Sequence, residues 1–261
     1  METNDLNVKT ETKELGALLL DIGISLLQAE ASSSRIRTTL HRLAAAYHYV
    51  PHITIGAKSV ALVLNDKDGN TLFNSALSTS LHSINFSVIS AITRFSWMAA
   101  VKRLPADELK SELGKSQAAG HYPRIVILCF VSLAGAAFCY TFGGGYIEMS
   151  ITFGATFCGL FVKQQLAKSK INPYICTYAA ATIASLFTGF FHITGLTVSP
   201  VSAFSTCVLF LVPGVLLINS LTDLIDGNTI NGIVKGVNAV IHVLAIALGL
   251  LTTIVILNLK G

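Results

Sequence analysis

Two patterns of apolar and polar positions divide the chain near residue 120. Over residues 11–117 the apolar residues recur at the spacings of amphipathic helices and strands, whereas residues 125–258 contain long apolar stretches that few charges interrupt. Such a stretch predicts a membrane-spanning helix when it approaches about 20 residues. The predicted spans are 125–142, 146–162, 174–191, 198–220 and 236–258.

The first part of the chain predicts a small domain with helices packed on one face of an antiparallel sheet. Helices are predicted at 11–29, after the capping serines Ser32, Ser33 and Ser34, at 86–101 and from Pro105 to Gln117. Strands are predicted around 53–55, 60–64, 71–75 and 80–84, with residues 66–70 as a hairpin turn. We therefore expect an α+β domain at 1–120 and a membrane domain at 121–261.

Composition supports the membrane assignment. Apolar residues make up 52% of the 261 residues, only 12% are charged, and the mean hydropathy is +0.64. Of the 32 Lys, Arg, Asp and Glu residues, 24 lie in 1–124. The eight that remain cannot cover the surface of a soluble domain, so the second part is expected to lie in the lipid bilayer.

The distribution of Lys and Arg predicts the orientation, because these residues are retained on the cytoplasmic side. Lys163, Lys168 and Lys170 lie between the second and third spans and Lys235 precedes the fifth, whereas 143–146 and 192–197 contain no Lys or Arg. The N-terminus is thus expected in the cytoplasm and the C-terminus outside, in the inner membrane. The predicted fold class is an α+β cytoplasmic domain followed by an all-α transmembrane bundle of five helices.

Several classes of function are disfavoured. The net charge of +4 is small and scattered, so no nucleic-acid partner is expected. No secretory signal, phosphate loop or motif for a nucleophile or a metal is found, so we expect no enzyme, cofactor or metal site.

The fourth predicted span contains the strongest local signal for function. Pro213 and Gly214 predict a kink or break, and transporters use such breaks to expose backbone groups to a solute. Asn219, Asp223 and Asp226 follow at helical spacing. The alternative is a structural kink followed by a solvated helix end.

Ionisable residues at membrane depth are costly and therefore informative. Glu148 is either an interfacial residue or a carboxylate that couples transport to protons or gates the substrate. His192 and His242 are either interfacial or inter-helix hydrogen-bonding residues, or part of a transport site.

Three segments resemble the threonine/serine exporter family, in its N-terminal half. They are LLQAEASSS at 26–34, the Gly144-Gly145 turn with Glu148, and LVPG at 211–214 through INS at 218–220 and Asp223. The resemblance extends from about residue 11 to the end of the chain. One departure is Glu148, where the family usually has aspartate.

The second departure is that the further set of spans found in fused family members is missing here. The resemblance therefore implies the split form, similar to the larger subunit of a two-component succinate exporter, with a smaller membrane protein as partner. It implies export of a small carboxylate-bearing metabolite, either threonine/serine or a dicarboxylate. The hydroxyl-rich spans without arginine slightly favour the amino acid.

The leading hypothesis is thus a subunit of a proton-driven secondary efflux transporter in the lipid bilayer, with further copies of the chain (a homo-oligomer) also considered as partners. Pro213 and Gly214 would form the solute-binding break, Asn219 and Asp223 would lie at its cytoplasmic mouth, and Glu148 would face the other side. The alternative is a membrane-anchored sensor or scaffold with a ligand-binding cytoplasmic domain. An intramembrane enzyme is a third, weaker hypothesis.

Overall fold

The computed structural model describes residues 2–80, 84–118, 122–197 and 200–258. In this part, the chain forms ten α-helices, one short 3₁₀-helix and one three-stranded sheet. It divides into two compact units, which we call the N-terminal unit, Met1–His121 with Ile218–Lys235, and the apolar unit, Tyr122–Leu217 with Gly236–Gly261. The predicted division into domains at 1–120 and 121–261 stays a prediction.

The N-terminal unit begins with four helices and three strands. They are α1 (Glu2–Gln28), α2 (Ser33–Ala46), β1 (Val50–Ile55), β2 (Ser59–Asn65), β3 (Thr71–Ser78), α3 (Phe86–Lys102) and α4 (Ala106–Gln117). The helices predicted after the serines, at 86–101 and from Pro105 are confirmed. Of the strand predicted at 80–84, residues 81–83 lie outside the described residues, and Ser80 and Ile84 are not in a strand.

The sheet has the order β1-β2-β3 with antiparallel pairing, in which Ile53 pairs with Leu62. Alternate residues of β2 are buried because successive side chains of a strand point to opposite faces. α2 begins where Ser32 caps it, since the Ser32 Oγ accepts the N–H of Arg35 at 3.4 Å. The core of the unit joins the buried sides of these elements and includes Leu19, Ile22, Leu26, Ile36, Leu40, Leu43, Val60, Leu62, Leu64, Ile92 and Phe95.

The described residues of the apolar unit form helices joined by short turns, and none of them is in a strand. Its elements are α5 (Arg124–Thr141), α6 (Tyr146–Lys168), α7 (Pro173–Ile193), α8 (Pro200–Cys207) and the 3₁₀-helix Leu209–Leu211. Two more helices, α9 (Gly214–Ile225) and α10 (Thr229–Ile256), each have residues in both units.

Small residues allow the helices of the apolar unit to pack closely. A Cβ added to Gly159 of α6 would lie 2.9 Å from the Ala180 carbonyl of α7. One added to Gly249 of α10 would lie 2.7 Å from the Ala181 Cβ. Close backbone approach at small residues is the usual packing of helices in lipid.

The predicted transmembrane bundle of five helices is wrong. In the described part of the chain, only α5, α7 and α10 are long and apolar enough to cross a membrane, with a fourth crossing if Val201–Leu211 and Gly214–Ile225 form one bent span. α6 is not among them because Glu148, Lys163 and Lys168 interrupt its apolar sequence.

The predicted fold class, an α+β domain followed by a separate transmembrane bundle, is also wrong at α9. Its residues from Ile218 onward, and α10 up to Lys235, belong to the same compact unit as the N-terminal residues. Hydropathy along the sequence cannot reveal this, because the polar side of α9 is used for packing within the protein. The protein is therefore mainly helical, with a small sheet, and its N-terminal unit is built from two separate parts of the chain.

Candidate functional site

The predicted break is found at Val212 and Pro213. α8 ends at Cys207, and Val212 is extended, with φ −60° and ψ 124°, before α9 begins at Gly214. Pro213 has no N–H to continue the helical ladder, whereas its carbonyl accepts the N–H of Leu217 at 3.0 Å. The two helical pieces are bent by 62°. Pro213 and Gly214 thus lie where the backbone leaves regular helix, and their part in transport stays a prediction.

Asp223 lies farther along α9 and is fully buried. Its Oδ1 accepts the backbone N–H of Ser33 at 3.0 Å, and its Oδ2 accepts both the Ser33 hydroxyl at 3.0 Å and the Lys235 Nζ at 2.7 Å. Ser33 is the first residue of α2, so its N–H has no acceptor within that helix, and the positive end of the helix favours a carboxylate. The carboxylate is therefore paired and bonded, as burial of a charge requires.

Two asparagines extend these contacts. The Asn219 Nδ2 donates to the Glu30 carbonyl at 2.9 Å, and the Asn231 Nδ2 donates to the Ser33 Oγ at 3.2 Å and the Ile55 carbonyl at 2.8 Å. We call Glu30, Ser33, Asn219, Asp223, Asn231 and Lys235 the Asp223 network. The Asn231 Oδ1 is buried and has no hydrogen-bond partner among the described residues. Burial raises the pKa of the Glu30 carboxyl, and the charge of Lys235 partly opposes this effect.

The alternative interpretation of this segment, a kink followed by a helix end in water, does not hold for Asp223, because Asp223 is buried. Of the three polar residues predicted to share a face, only Asp226 is exposed. Asn219 contacts Glu30 in the segment between α1 and α2, and Asp223 contacts Ser33 at the start of α2. Sequence reasoning missed Ser33, Asn231 and Lys235 as partners. The serine triplet and the few polar residues of an apolar region were the available signals.

Glu148 lies in the first turn of α6, in the apolar unit, and is 2% exposed. Its Oε2 accepts the backbone N–H of Gly145 at 3.0 Å, so the carboxylate caps the helix.

The two histidines that the sequence singled out, His192 and His242, each form a hydrogen bond with a threonine. His192 Nδ1 is 3.1 Å from Thr197 Oγ1, and His242 Nδ1 is 3.0 Å from Thr177 Oγ1.

Buried hydroxyl groups are frequent in the apolar unit. Ser185 and Thr253 are joined at 2.6 Å across α7 and α10, and many of the others donate to a carbonyl four residues earlier on their own helix. The residues that are at most 1% exposed are Ser132, Thr152, Thr156, Thr177, Ser185, Thr188, Thr206 and Thr253. The Thr156 Oγ1 is buried with no partner in the described residues. Within that same part of the chain, no group of three or more His, Cys, Asp or Glu residues is arranged to hold a metal ion.

Comparison with known proteins assigns the family. The family model described as "Putative threonine/serine exporter" (ThrE) matches residues 17–257. The chain belongs to this family. The resemblance inferred from the residues is thereby confirmed, and with the apolar helices it makes the chain a membrane protein of a transporter family.

Two relatives cover nearly the whole chain. "Probable succinate transporter subunit YjjP" of Klebsiella aerogenes is 27% identical over 255 residues, which cover 97% of this chain and 98% of the relative. The protein of the same name from Escherichia coli K12 is 28% identical over 249 residues, covering 94% and 95%. No solved structure matches the chain.

Proposed function

We propose that this chain is a subunit of a secondary transporter that exports a small carboxylate-bearing metabolite across the inner membrane, driven by the proton gradient. Membership of the exporter family over residues 17–257 is the observation that carries the proposal. The substrate is threonine, serine or a dicarboxylate such as succinate, which is the compound named for both relatives. A transporter of this kind needs no catalytic residues, so we do not propose an enzyme.

The interrupted helix supplies the solute contact in this proposal. At Pro213 and Gly214 the backbone leaves the helical ladder, as in the broken helices that transporters use to contact a solute. The Gly214 N–H donates to the Val212 carbonyl at 2.9 Å, and a solute carboxylate would replace that short local contact. A Cβ at Gly214 would have no atom within 4 Å among the described residues, which leaves space beside the break. The hydroxyl groups buried in the apolar unit, with Thr156 among them, would supply further donors.

Asn219 and Asp223 lie at the cytoplasmic mouth of the break in this proposal. The Asp223 carboxylate accepts the N–H and the hydroxyl of Ser33 at the start of α2 and pairs with Lys235 on α10. Any movement of α9 during transport would have to break these contacts. Glu148, which caps α6 in the apolar unit, is the carboxylate proposed to couple transport to protons.

The partner is a smaller membrane protein, since both relatives are named as subunits. The N-terminus is proposed to be cytoplasmic because three lysines lie at the C-terminal end of α6, with Lys163 and Lys168 inside the helix and Lys170 just after it. Residues 218–235 belong to the same unit as the N-terminal residues, and α10 starts there. α10 is long enough to cross the membrane, so its C-terminal end is proposed to be extracytoplasmic.

The test is export from a strain that lacks this chain, measured as intracellular threonine, serine and succinate. We expect accumulation of one of them, restored to normal by the wild-type chain but not by Pro213→Ala combined with Gly214→Leu. Gly114→Ala, in α4, is the control and should restore export, because Gly114 lies outside the break and an added methyl group has free space there. Insertion of each variant is checked by its amount in the membrane fraction.

Accumulation of none of the three compounds would contradict the transporter proposal and favour the sensor or scaffold. Full export by the double variant would remove the break from the mechanism. Glu148→Gln with unchanged dependence on the proton gradient would remove Glu148 from the coupling.

A further inference from the structure

A surface cavity lined by hydroxyl and guanidinium side chains lies in the N-terminal unit, and it shares no residue with the Asp223 network. Its volume is about 370 Å³, within the range of roughly 300–1,000 Å³ that is usual for small-molecule sites. Eight residues line it, six with hydroxyl groups and two with guanidinium groups. They are Ser32, Ser34, Arg35, Thr38, Thr39, Arg42, Thr93 and Thr222.

The lining is basic. The residues that line the cavity include no Asp or Glu. The ion pairs found among the described residues join Lys115 with Glu112 and Lys235 with Asp223, so neither Arg35 nor Arg42 is neutralised by one. Two guanidinium groups without an ion pair, with the hydroxyls of Thr38 and Thr39 near them, match an anion with oxygen acceptors. The Thr93 and Thr222 hydroxyls donate to carbonyls of their own helices and only shape the cavity wall.

One of the two arginines is held in place before any ligand binds. The Arg42 Nη1 donates to the Ser96 Oγ at 2.7 Å, and its Cζ lies 3.7 Å from the centre of the Trp97 ring. A guanidinium that is already oriented loses less conformational entropy on binding. The contact with Ser96 uses one of its five N–H donors, so donors remain for a carboxylate.

The spacing of the two arginines selects the shape of the anion. Arg35 and Arg42 are seven residues apart on α2, which places their Cα atoms about 10 Å apart along the helix. Thr38 and Thr39 lie between them on the same helix. An extended dianion with a carboxylate at each end fits this arrangement better than a compact phosphate, whose charge is in one place.

We propose that this cavity is a binding site for a small dicarboxylate, held by Arg35 and Arg42 at its two ends and by the hydroxyl groups between them. It is a site in the N-terminal unit, in addition to the proposed solute contact at Pro213. The choice of succinate as the probe rests on the proposed function. The assignment of Arg35 and Arg42 to the site does not depend on the proposed function.

The single tryptophan of the chain makes the test direct. Trp97 is the only tryptophan in the sequence and contacts Arg42, so its fluorescence reports on this cavity. The purified full-length chain in detergent is titrated with succinate, acetate, threonine and inorganic phosphate at constant ionic strength. Arg35→Gln is the test variant, because it removes one guanidinium and leaves the Arg42–Trp97 contact intact. Lys67→Gln, at an exposed turn, is the control for loss of one positive charge.

We expect a saturable change with succinate, and at least about tenfold weaker binding of acetate, threonine and phosphate. Arg35→Gln should weaken succinate binding by about tenfold or more, and Lys67→Gln should leave it unchanged. Succinate binding that is equal in Arg35→Gln and the wild type would overturn the proposal. Phosphate that binds as tightly as succinate would overturn the dicarboxylate assignment and indicate a general anion site.

The export measurement separates this inference from the proposed function. Export by a chain that shows no saturable succinate response would overturn the inference alone. Saturable, Arg35-dependent binding in a chain whose deletion changes no metabolite level would support the inference and overturn the proposed function.

Discussion

Replacing Asp223 with alanine removes the centre of the buried network. The Lys235 ammonium, whose side chain is 17% exposed, then loses its carboxylate, which is 2.7 Å away in the wild type. The buried N–H of Ser33 loses its acceptor as well. Breaking a buried ion pair by removing one partner costs about 3–5 kcal/mol, because the other charge stays buried without compensation.

An exposed ion pair provides the matched control. The Lys115 Nζ is 2.6 Å from the Glu112 Oε1, a similar separation, but the two side chains are 69% and 27% exposed. Lys115→Ala should cost only about 0–1 kcal/mol, since water already solvates both charges. The two variants therefore compare burial at nearly equal distance.

The assay is thermal unfolding of the detergent-purified chain, followed by the fluorescence of Trp97 on α3. At roughly 2–4 °C per kcal/mol, Asp223→Ala should lower the melting temperature by about 10 °C and Lys115→Ala by at most a few degrees. Asp223→Asn combined with Lys235→Met should recover more than half of the loss, because no charge is then left unpaired. Equal shifts for Asp223→Ala and Lys115→Ala would refute the argument that the buried contacts of Asp223 hold α9 to α2 and α10.

Three further predictions use the melting temperature. Burial raises the pKa of Glu30 above its ordinary value of 4.5, so the folded chain binds this proton more tightly than the unfolded chain does. Stability should therefore fall as pH rises from the ordinary pKa through the raised one, and Glu30→Gln should abolish that part of the fall. Gly159→Ala should cost roughly 1–3 kcal/mol because its Cβ would meet the Ala180 carbonyl, whereas Gly214→Ala should be neutral. Thr156→Val should not lower stability, since the hydroxyl has no partner in the described residues, and reduced export by this variant would place Thr156 on the solute path.

Locally encoded features were predictable from the sequence. The Ser32 cap starts α2, and the Asp66 carboxylate closes the hairpin turn by accepting the N–H groups of Asp68 and Asn70. The missing N–H of Pro213 interrupts the helix where it was expected. In each case the cause and its effect lie within four residues, so neighbouring residues suffice to identify them.

The number of membrane helices was not predictable in the same way. Apolar composition indicates which segments avoid water, but lipid and protein interior are equally good at covering an apolar side chain. α9 shows the consequence, because Leu221 and Ile225 are exposed on it while Asp223 is buried. A hydropathy average over α9 merges these two sides and describes neither.

The sequence by itself determined that this is a membrane protein of the threonine/serine exporter family, since composition and motifs are properties of the chain alone. Only the tertiary structure decided that Asp223 is buried, that Ser33 and Lys235 bind it, and that Arg35 and Arg42 line one cavity with Thr93 and Thr222. Asp223 and Ser33 are 190 residues apart in the chain. Contacts over such a distance depend on how helices pack, and no local pattern of residues encodes them.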